Sequence, residues 1–514
     1  MEQDWDAVVV GGGAAGLSAA QMLGRSLRRT LVVDGGRPRN RFAAHMHGVL
    51  GHDGIEPARL LERGRAEARA YGVEFAEGVV MALADDGDRL LVTMDDGRVL
   101  RTRAAVVATG LRDDLPDVPG LAEEWGRTVL HCPYCHGREV AGRRLGVLAV
   151  SAASTHQVQL VRQLSEDVVA FTAAAEPLGD DARSGLAARG IRTVTAPVRG
   201  LERRDDGIVL RTADGVEHLV GAVFTGGAPE LGLDFVAPLE LARSDQPGAP
   251  LLVDPMGRTS HPRVFAAGNA VAPFGNVPVS MASGSMAGAG VNAALVAEDV
   301  DLARAARDAI RNAAWEHRHV ERDGLWSGEV NAAVAEVAVG LDAGTALDVG
   351  AGEGGDAVWL AERGWSVTAV DVAPTAIARA GELARSRGVE VDLRVGDGAA
   401  AVEDHFDLVL ASFLHSPEPD FPRLRLLREA ADRVAPGGRL LLVTHASVPT
   451  SSLTGGVHGH APALRRPEED LALLALDPAV WTAERCELLP RRAHLPDGTD
   501  VAVEDGVLLL RRIG

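Results

Sequence analysis

The sequence predicts an α/β protein with two parallel-sheet nucleotide-binding modules in series and a redox-cysteine lobe set into the first. Three observations predict it. A short apolar run, Asp6–Val10, opens into the loop Gly11-Gly12-Gly13-Ala14-Ala15-Gly16, and a second run, Thr30–Val33, ends on Asp34. The same order of strand, glycine loop, helix and acid-tipped strand returns at Ala346–Asp371. Between the two copies stand Cys132 and Cys135, two of the chain's three cysteines, in a Cys-x-x-Cys spacing. Short apolar runs bounded by glycine turns read as strands buried on both faces, and their alternation with helical stretches gives a parallel sheet.

Composition bounds the rest. The 514 residues suffice for three or four domains, and a hydrophobic content of 46% supplies large cores. No apolar run approaches the length of a membrane span, so no membrane partner is expected. The acidic start, Met1–Asp6, runs straight into a strand, and no secretory leader is expected. Three cysteines in so long a chain suit a reducing compartment, which makes the cytoplasm the expected location. A net charge of −20 repels phosphate and disfavours a nucleic-acid partner. All 52 basic residues are arginine, which excludes Schiff-base chemistry on lysine and a lysine-dependent phosphate loop.

In the first module the glycines let the backbone approach a pyrophosphate, whose charge the following helix (Leu17–Leu27 by pattern) stabilises at its N-terminus. Asp34, 18 residues past Gly16, is placed to accept from a ribose hydroxyl pair. The motif alone does not separate FAD from NAD. Two later stretches do: Ala108-Thr109-Gly110 ahead of a proline-rich link, and Ala267-Gly268-Asn269 late in the module. With the cysteine pair, these motifs make residues 5–300 resemble the thioredoxin-reductase-like flavoproteins. The resemblance implies an FAD held by Gly11, Gly13, Gly16, Asp34, Thr109, Gly110, Gly268 and Asn269, and a homodimer through the flavin part. Asn269 departs from the family's aspartate and brings no charge to that contact. His45 and His47 lie where the family's chain passes the flavin, as loop residues or as contacts to flavin or substrate. The small residues of Pro278–Gly290 suit a helix that either approaches the flavin or packs closely on a neighbour.

A Cys-x-x-Cys pair closes and reopens readily because its thiols ionise more easily than a free cysteine. The alternative, half of a zinc site, lacks a second pair, since Cys486 stands alone, so no metal is expected. The expected second nucleotide site is altered. After the strand Leu145–Val150 comes Ser151-Ala152-Ala153-Ser154, with no glycine from Val147 through Leu178. Side chains there block a pyrophosphate. After Val168–Thr172 comes Ala173-Ala174-Ala175-Glu176, where a 2′-phosphate needs arginines. NADPH is therefore not expected, and electrons are expected to run from substrate thiols through the disulfide to FAD and then to O2. This pattern, with Cys132-x-x-Cys135-His136-Gly137, resembles the dithiol oxidases of gliotoxin and holomycin biosynthesis. That resemblance implies Cys132 as the sulfur attacked by a small-molecule dithiol, Cys135 as the sulfur facing the flavin, and His136 as acid/base.

The third module reads Asp348-x-Gly350-x-Gly352-x-Gly354, then a helix Asp356–Arg363 and a strand ending on Asp371. Val395-Gly396-Asp397, Phe406–Ala411 and Leu427–Val443 follow in the order of further strands and a helix. These landmarks resemble class I S-adenosylmethionine-dependent methyltransferases, and the stretch Glu353–Leu360 with the upstream Leu325-Trp326-Ser327-Gly328 looks nearest to the tellurite-resistance and thiopurine types. The resemblance implies S-adenosylmethionine bound by Asp348, Gly350, Gly352, Gly354, Asp371 and Asp397. His415 and His445 fall at strand carboxyl ends, where ligands bind in such sheets, and are equally readable as structural.

The expected architecture is a discontinuous FAD domain (1–115 and 241–300) with an inserted redox-cysteine lobe (116–240), then a methyltransferase domain (301–514). The Ala/Arg-rich stretch 291–313 is the expected inter-domain helix. The expected function joins dithiol oxidation to methylation of a thiol. The alternatives are an NADPH-dependent disulfide reductase fused to a methyltransferase, a flavin sensor regulating the methyltransferase without turning over, and methylation of tellurite, selenite or an oxygen acceptor.

Overall fold

The computed structural model describes residues 4–322, 324–416, 421–447, 464–494 and 500–513. The chain forms two compact units, Met1–Asp301 and Leu302–Gly514.

In the first unit, β1 (Asp4–Val10), α1 (Ala14–Arg25) and β2 (Thr30–Asp34) form the expected βαβ turn. The helix starts three residues before the sequence pattern does, because the loop glycines have already turned the chain. Strand β1 lies between β2 and β6 (Val99–Val107), parallel to both, with β3 (Glu74–Glu77) beyond β2. The strands β4 (Val80–Asp85) and β5 (Leu90–Met94) fold back antiparallel beyond β6. The inserted lobe has its own parallel sheet. Its order is β10 (Arg192–Val194), β9 (Val168–Phe171), β8 (Leu145–Leu148), β11 (Ala222–Phe224), β7 (Val129–Leu130). The chain leaves and re-enters the flavin-type sheet through Arg112–Asp114 and Ala228–Glu230, which pair antiparallel. The strand β12 (Val264–Ala266) then docks parallel on β6 and delivers Gly268 and Asn269 to the carboxyl ends of β1 and β6.

The next element, α2 (Val277–Glu321), is one 45-residue helix, longer than the stretch expected from composition. No glycine or proline interrupts it from Val291 on, and its earlier glycines are needed for packing. A Cβ at Gly284 would fall 2.0 Å from the carbonyl oxygen of Ala15. The helix is long and apolar enough by composition to cross a membrane, contrary to what the apolar runs of the sequence led one to expect. Its Ala287, Val291 and Leu295 are core residues, buried with Ala15, Ala19 and Phe265.

The second unit is one seven-stranded sheet. Its strands are β13 (Thr345–Val349), β14 (Ser366–Asp371), β15 (Asp392–Val395), β16 (Phe406–Ser412), β17 (Val434–His445), β18 (Trp481–His494) and β19 (Asp500–Arg512). They stand in the order β15-β14-β13-β16-β17-β19-β18. The five strands β13–β17 run parallel to one another, while β19 enters antiparallel between β17 and β18. The order reverses between β13 and β16, and ligands bind at the carboxyl ends beside such a switch point.

Candidate active sites

In the first unit one cavity of about 310 Å³ joins the glycine loop to the cysteine pair. Gly11, Gly13, Asp34, Thr109, Gly110, Gly268, Asn269, Cys132, Cys135 and His136 all line it. Gly16 does not; a Cβ there would meet the Gly11 carbonyl oxygen at 1.8 Å, so its part is to bring α1 onto β1. Gly11 takes φ +108°, and a Cβ would fall 2.3 Å from the Ala108 carbonyl oxygen. Gly13 has nothing within 4 Å of where a Cβ would stand, which leaves the helix N-terminus open to a phosphate. Asp34 accepts the Gly36 N–H at 3.2 Å and pairs with Arg65. A nucleotide with a pyrophosphate and a ribose diol fits this cradle.

Asn269 does something an aspartate cannot. Its Nδ2 donates to the carbonyls of Ala272 (2.9 Å), Pro273 (3.3 Å) and Gly275 (2.9 Å), which shapes the loop rimming the cavity. His47 lines the cavity and His45 is exposed outside it.

Cys132 and Cys135 form a disulfide, and the Cys135 N–H donates to Cys132 Sγ at 3.2 Å. That donor favours negative charge on the Cys132 sulfur when the bond opens. Burial holds the His136 pKa below the ordinary histidine value, with Glu139 opposing and His47 adding to the depression. His136 is therefore neutral near pH 7 and able to accept a proton. His47 itself pairs with Asp53 at 3.2 Å and Glu139 at 3.4 Å.

A second group here was not foreseen. Arg39 holds Asp113 bidentately (2.8 and 2.6 Å), and its Nη2 lies 3.4 Å from His131 Nε2. Burial first, then Arg39, lowers the His131 pKa, and its Nδ1 is buried without a hydrogen-bond partner among the described residues. His131 adjoins Cys132, a visible signal; Arg39 and Asp113 are 74 positions apart, and no spacing rule links them.

In the inserted lobe, the turn between β8 and the helix Ser154–Val161 is closed on itself. Ser154 Oγ accepts the N–H groups of Val150 (3.1 Å) and Ser151 (3.3 Å). Those are backbone donors of the turn that, in a glycine loop, would face a pyrophosphate. Past β9, Glu176 accepts from Thr172 (3.1 Å), the Leu178 N–H (3.0 Å) and Arg183 (2.9 Å). A carboxylate thus occupies the end of β9.

The second unit holds a cavity of about 640 Å³ at the carboxyl ends of β13, β14, β16 and β17. Asp348, Gly350, Gly352, Asp371, Asp397, His415 and His445 line it, and Gly354 does not. Gly354 (φ +83°) starts the helix Gly355–Glu362, and a Cβ there would strike Ala380 at 2.7 Å. Asp348 is fully buried, and one oxygen, Oδ2, has no hydrogen-bond partner among the described residues. Burial, then the carboxylates of Asp356 and Asp371, push its pKa well above the ordinary value. Such a site favours a cation. Asp371 accepts the N–H groups of Gly352 and Ala373, both at 2.9 Å. S-adenosylmethionine, with an ammonium, a sulfonium and a ribose diol, fits this donor and acceptor set.

Sequence reading missed the helix that borders this cavity. Arg311, Trp315 and His319 stand at successive four-residue steps of α2 and line it. That spacing, one face of a helix, was the available signal. Arg311 and Arg425 both pair with Asp397, at 2.9 and 3.2 Å. Glu353 gathers Arg379 (2.8 Å), His319 Nδ1 (3.4 Å) and the N–H groups of Leu325 (3.1 Å) and Trp326 (3.4 Å). Burial raises the Glu353 pKa, but Arg379 and the two backbone donors outweigh it and hold it below the usual carboxylate value.

Fold and sites together define a flavin-type disulfide oxidoreductase joined to a methyltransferase. Residues 5–290 match the family model described as pyridine nucleotide-disulphide oxidoreductase, and residues 346–438 match a methyltransferase domain. The chain belongs to the pyridine nucleotide-disulphide oxidoreductase family and carries a methyltransferase domain, an enzyme of both activities. Its first part is 33% identical over 305 residues to thioredoxin reductase tcpT of Claviceps purpurea, covering 57% of this chain and 95% of that one. It is 33% identical over 306 residues to thioredoxin reductase sirT of Leptosphaeria maculans, covering 56% and 93%. Among solved structures, HlmI is 41% identical with a TM-score of 0.58, covering 60% of this chain and 98% of that chain. The family implies FAD in the first cavity, and the methyltransferase domain implies S-adenosylmethionine in the second.

Proposed function

We propose that the first unit oxidises a small-molecule dithiol to a disulfide, with O2 as final electron acceptor, and that the second S-methylates a thiol. The observation that carries the direction of electron flow is the closed turn at Val150–Ser154, with Glu176 past the next strand. The backbone donors a pyrophosphate needs are spent on Ser154 Oγ. A carboxylate stands where a 2′-phosphate would need cations. NADPH has no seat there, and reducing equivalents enter from the substrate.

In this reading a substrate thiolate attacks Cys132 Sγ, forming a mixed disulfide and freeing the Cys135 thiolate. The second substrate sulfur then closes the product disulfide and expels Cys132, whose sulfur the Cys135 N–H stabilises at 3.2 Å. His136, kept neutral by burial, takes the substrate's proton. Bound FAD supplies the electron sink between the dithiol and O2. Gly11, Gly13, Asp34, Thr109, Gly110, Gly268 and Asn269 would hold it, and Gly16 would set the turn. Bound S-adenosylmethionine supplies the methyl group. Asp348, Gly350, Gly352 and Asp371 would hold it, and Asp397, which also pairs with Arg425, would fix Arg311 at the cavity wall. A homodimer in a reducing, cytoplasmic setting and a place in natural-product biosynthesis belong to the same reading. Both activities mask reactive sulfur, which gives the fusion a chemical reason.

Stopped-flow mixing of the oxidised flavoprotein with excess NADPH, and separately with dithiothreitol under air, tests the reading. The flavin band should persist with NADPH, and bleach and recover with the dithiol while hydrogen peroxide accumulates. Rapid bleaching by NADPH overturns the oxidase reading in favour of a reductase. Absence of peroxide with every dithiol tried would favour a non-turning-over sensor.

A further inference from the structure

The methyltransferase cavity carries a histidine that no step so far uses. His445 ends β17 and lines the cavity. Its Nδ1 lies 3.4 Å from Asp505 Oδ1, on the antiparallel neighbour β19. Asp505 is only 1% exposed, and Arg491 Nε on β18 donates to its other oxygen at 2.7 Å. Burial works against ionisation of Asp505, but His445 and Arg491 outweigh it and hold its pKa below the ordinary value. Asp505 is thus a carboxylate, which only accepts, so Nδ1 of His445 carries the ring proton and Nε2 is the basic nitrogen.

The ring is also fixed in orientation. Phe413 stacks on it at 3.9 Å with an interplanar angle of 19°, and His415 meets it edge-on at 5.3 Å. Phe413 takes φ +51°, a left-handed conformation that is strained for a bulky side chain. Its N–H donates to the Val443 carbonyl at 2.8 Å, which holds that conformation. The same segment touches the donor loop, since a Cβ on Gly350 would fall 2.8 Å from the Leu414 side chain. Among the described residues, the ring and its Asp505 partner meet Arg491 from β18 and His415 from the turn after β16, and Arg492 of β18 lines the same cavity.

We infer that His445, aligned by Asp505, is the general base of the methyltransferase, and that the acceptor is a thiol that arrives carrying its proton. The acceptor S–H gives its proton to Nε2 and its freed electron pair to the methyl group. The methyl's former bond leaves its pair on the donor sulfur, which becomes a neutral thioether. The imidazolium then returns the proton to solvent. An acceptor already ionised at neutral pH, such as tellurite or selenite, has no use for this arrangement. The inference rests on the S-methylation reading above.

The test uses the full chain, saturating S-adenosylmethionine, and two thiols. One is 4-nitrothiophenol, ionised at neutral pH; the other is phenylmethanethiol, still protonated there. His445→Gln should slow S-adenosylhomocysteine formation from phenylmethanethiol about 100-fold, the lower range for a lost general base, and from 4-nitrothiophenol by less than about 3-fold. Asp505→Asn should give a smaller loss with the same selectivity, and serves if the first variant does not fold. An equal loss with both thiols overturns the inference. Histidine-selective 15N spectra of the S-adenosylhomocysteine-bound chain give a second readout, independent of turnover. They should show the Nδ1-protonated tautomer at His445, and Asp505→Asn should abolish that preference. An Nε2-protonated ring in the unsubstituted chain overturns the base without touching S-methylation. Failure of the unsubstituted chain to methylate either thiol sinks the S-methylation reading, and this role with it.

Discussion

Asp348→Asn separates what the methyltransferase cavity needs for stability from what it needs for its ligand. Asp348 is 2% exposed, its Oδ2 has no hydrogen-bond partner among the described residues, and Asp356 and Asp371 share its surroundings. A buried, unsatisfied polar group costs about 1–3 kcal/mol. The neutral amide removes the charge, though its own NH2 still needs a partner, so a net gain of about 1–2 kcal/mol is expected without ligand. For a unit of this size that is about 2–8 °C in the unfolding midpoint. The pH dependence fixes the sign. A carboxyl whose folded pKa is raised lends its stability below the unfolded value of 3.8 and loses it as pH rises through the folded value. The gain from Asn should therefore vanish below the unfolded value of 3.8 and grow as pH rises through the folded value. S-adenosylmethionine should bind more weakly. Loss of a hydrogen bond to a charged group, about 1.5–3 kcal/mol, corresponds to about 10- to 100-fold in Kd. Thermal melts from pH 4 to 8 and titration calorimetry read both effects. A lower midpoint with unchanged affinity would refute the reasoning, because Asp348 would then be a satisfied structural acid.

Four further outcomes follow from the flavin-type unit. Gly13→Ala should fold with a melting temperature near that of the unsubstituted chain but purify with little flavin, because its Cβ meets no protein atom. Gly16→Ala, whose Cβ would stand 1.8 Å from a carbonyl oxygen, should lose solubility as well; flavin-to-protein ratios and melting curves separate the two. Asn269→Asp, although it restores the family residue, should lower flavin retention, since a carboxylate repels the three carbonyls that Asn269 now caps; retained or improved flavin content would contradict this. The rate of dithiol oxidation should fall as pH drops through the lowered pKa of His136. The acid limb should lie below the ordinary value of 6.5, and His136→Gln should remove it from the kcat/KM profile.

Read alone, the sequence determined the parts that depend on neighbours in the chain. Glycine loops between apolar runs, acids at strand ends and the Cys-x-x-Cys spacing are local, because a turn, a helix N-terminus or a strained pair is made within a few residues. Both nucleotide cradles, the redox pair and the altered turn at Ser151–Ser154 were legible in this way. The tertiary structure decided what those letters left open. Gly16 and Gly354 pack against backbone or side chains away from the cavities, while Gly11, Gly13, Gly350 and Gly352 line them. The Ser154 hydroxyl was visible, but that it closes on the Val150 and Ser151 donors was not. Arg39 with Asp113, Arg311 with Asp397, and Asp505 with His445 are pairs 60 or more positions apart. No periodicity joins such residues. They meet because folding brings distant segments to the rim of a sheet, as where His445 and Asp505 become register partners on antiparallel strands, and only there do burial and charge decide which histidine is neutral and which carboxylate oxygen is left without a partner among the described residues.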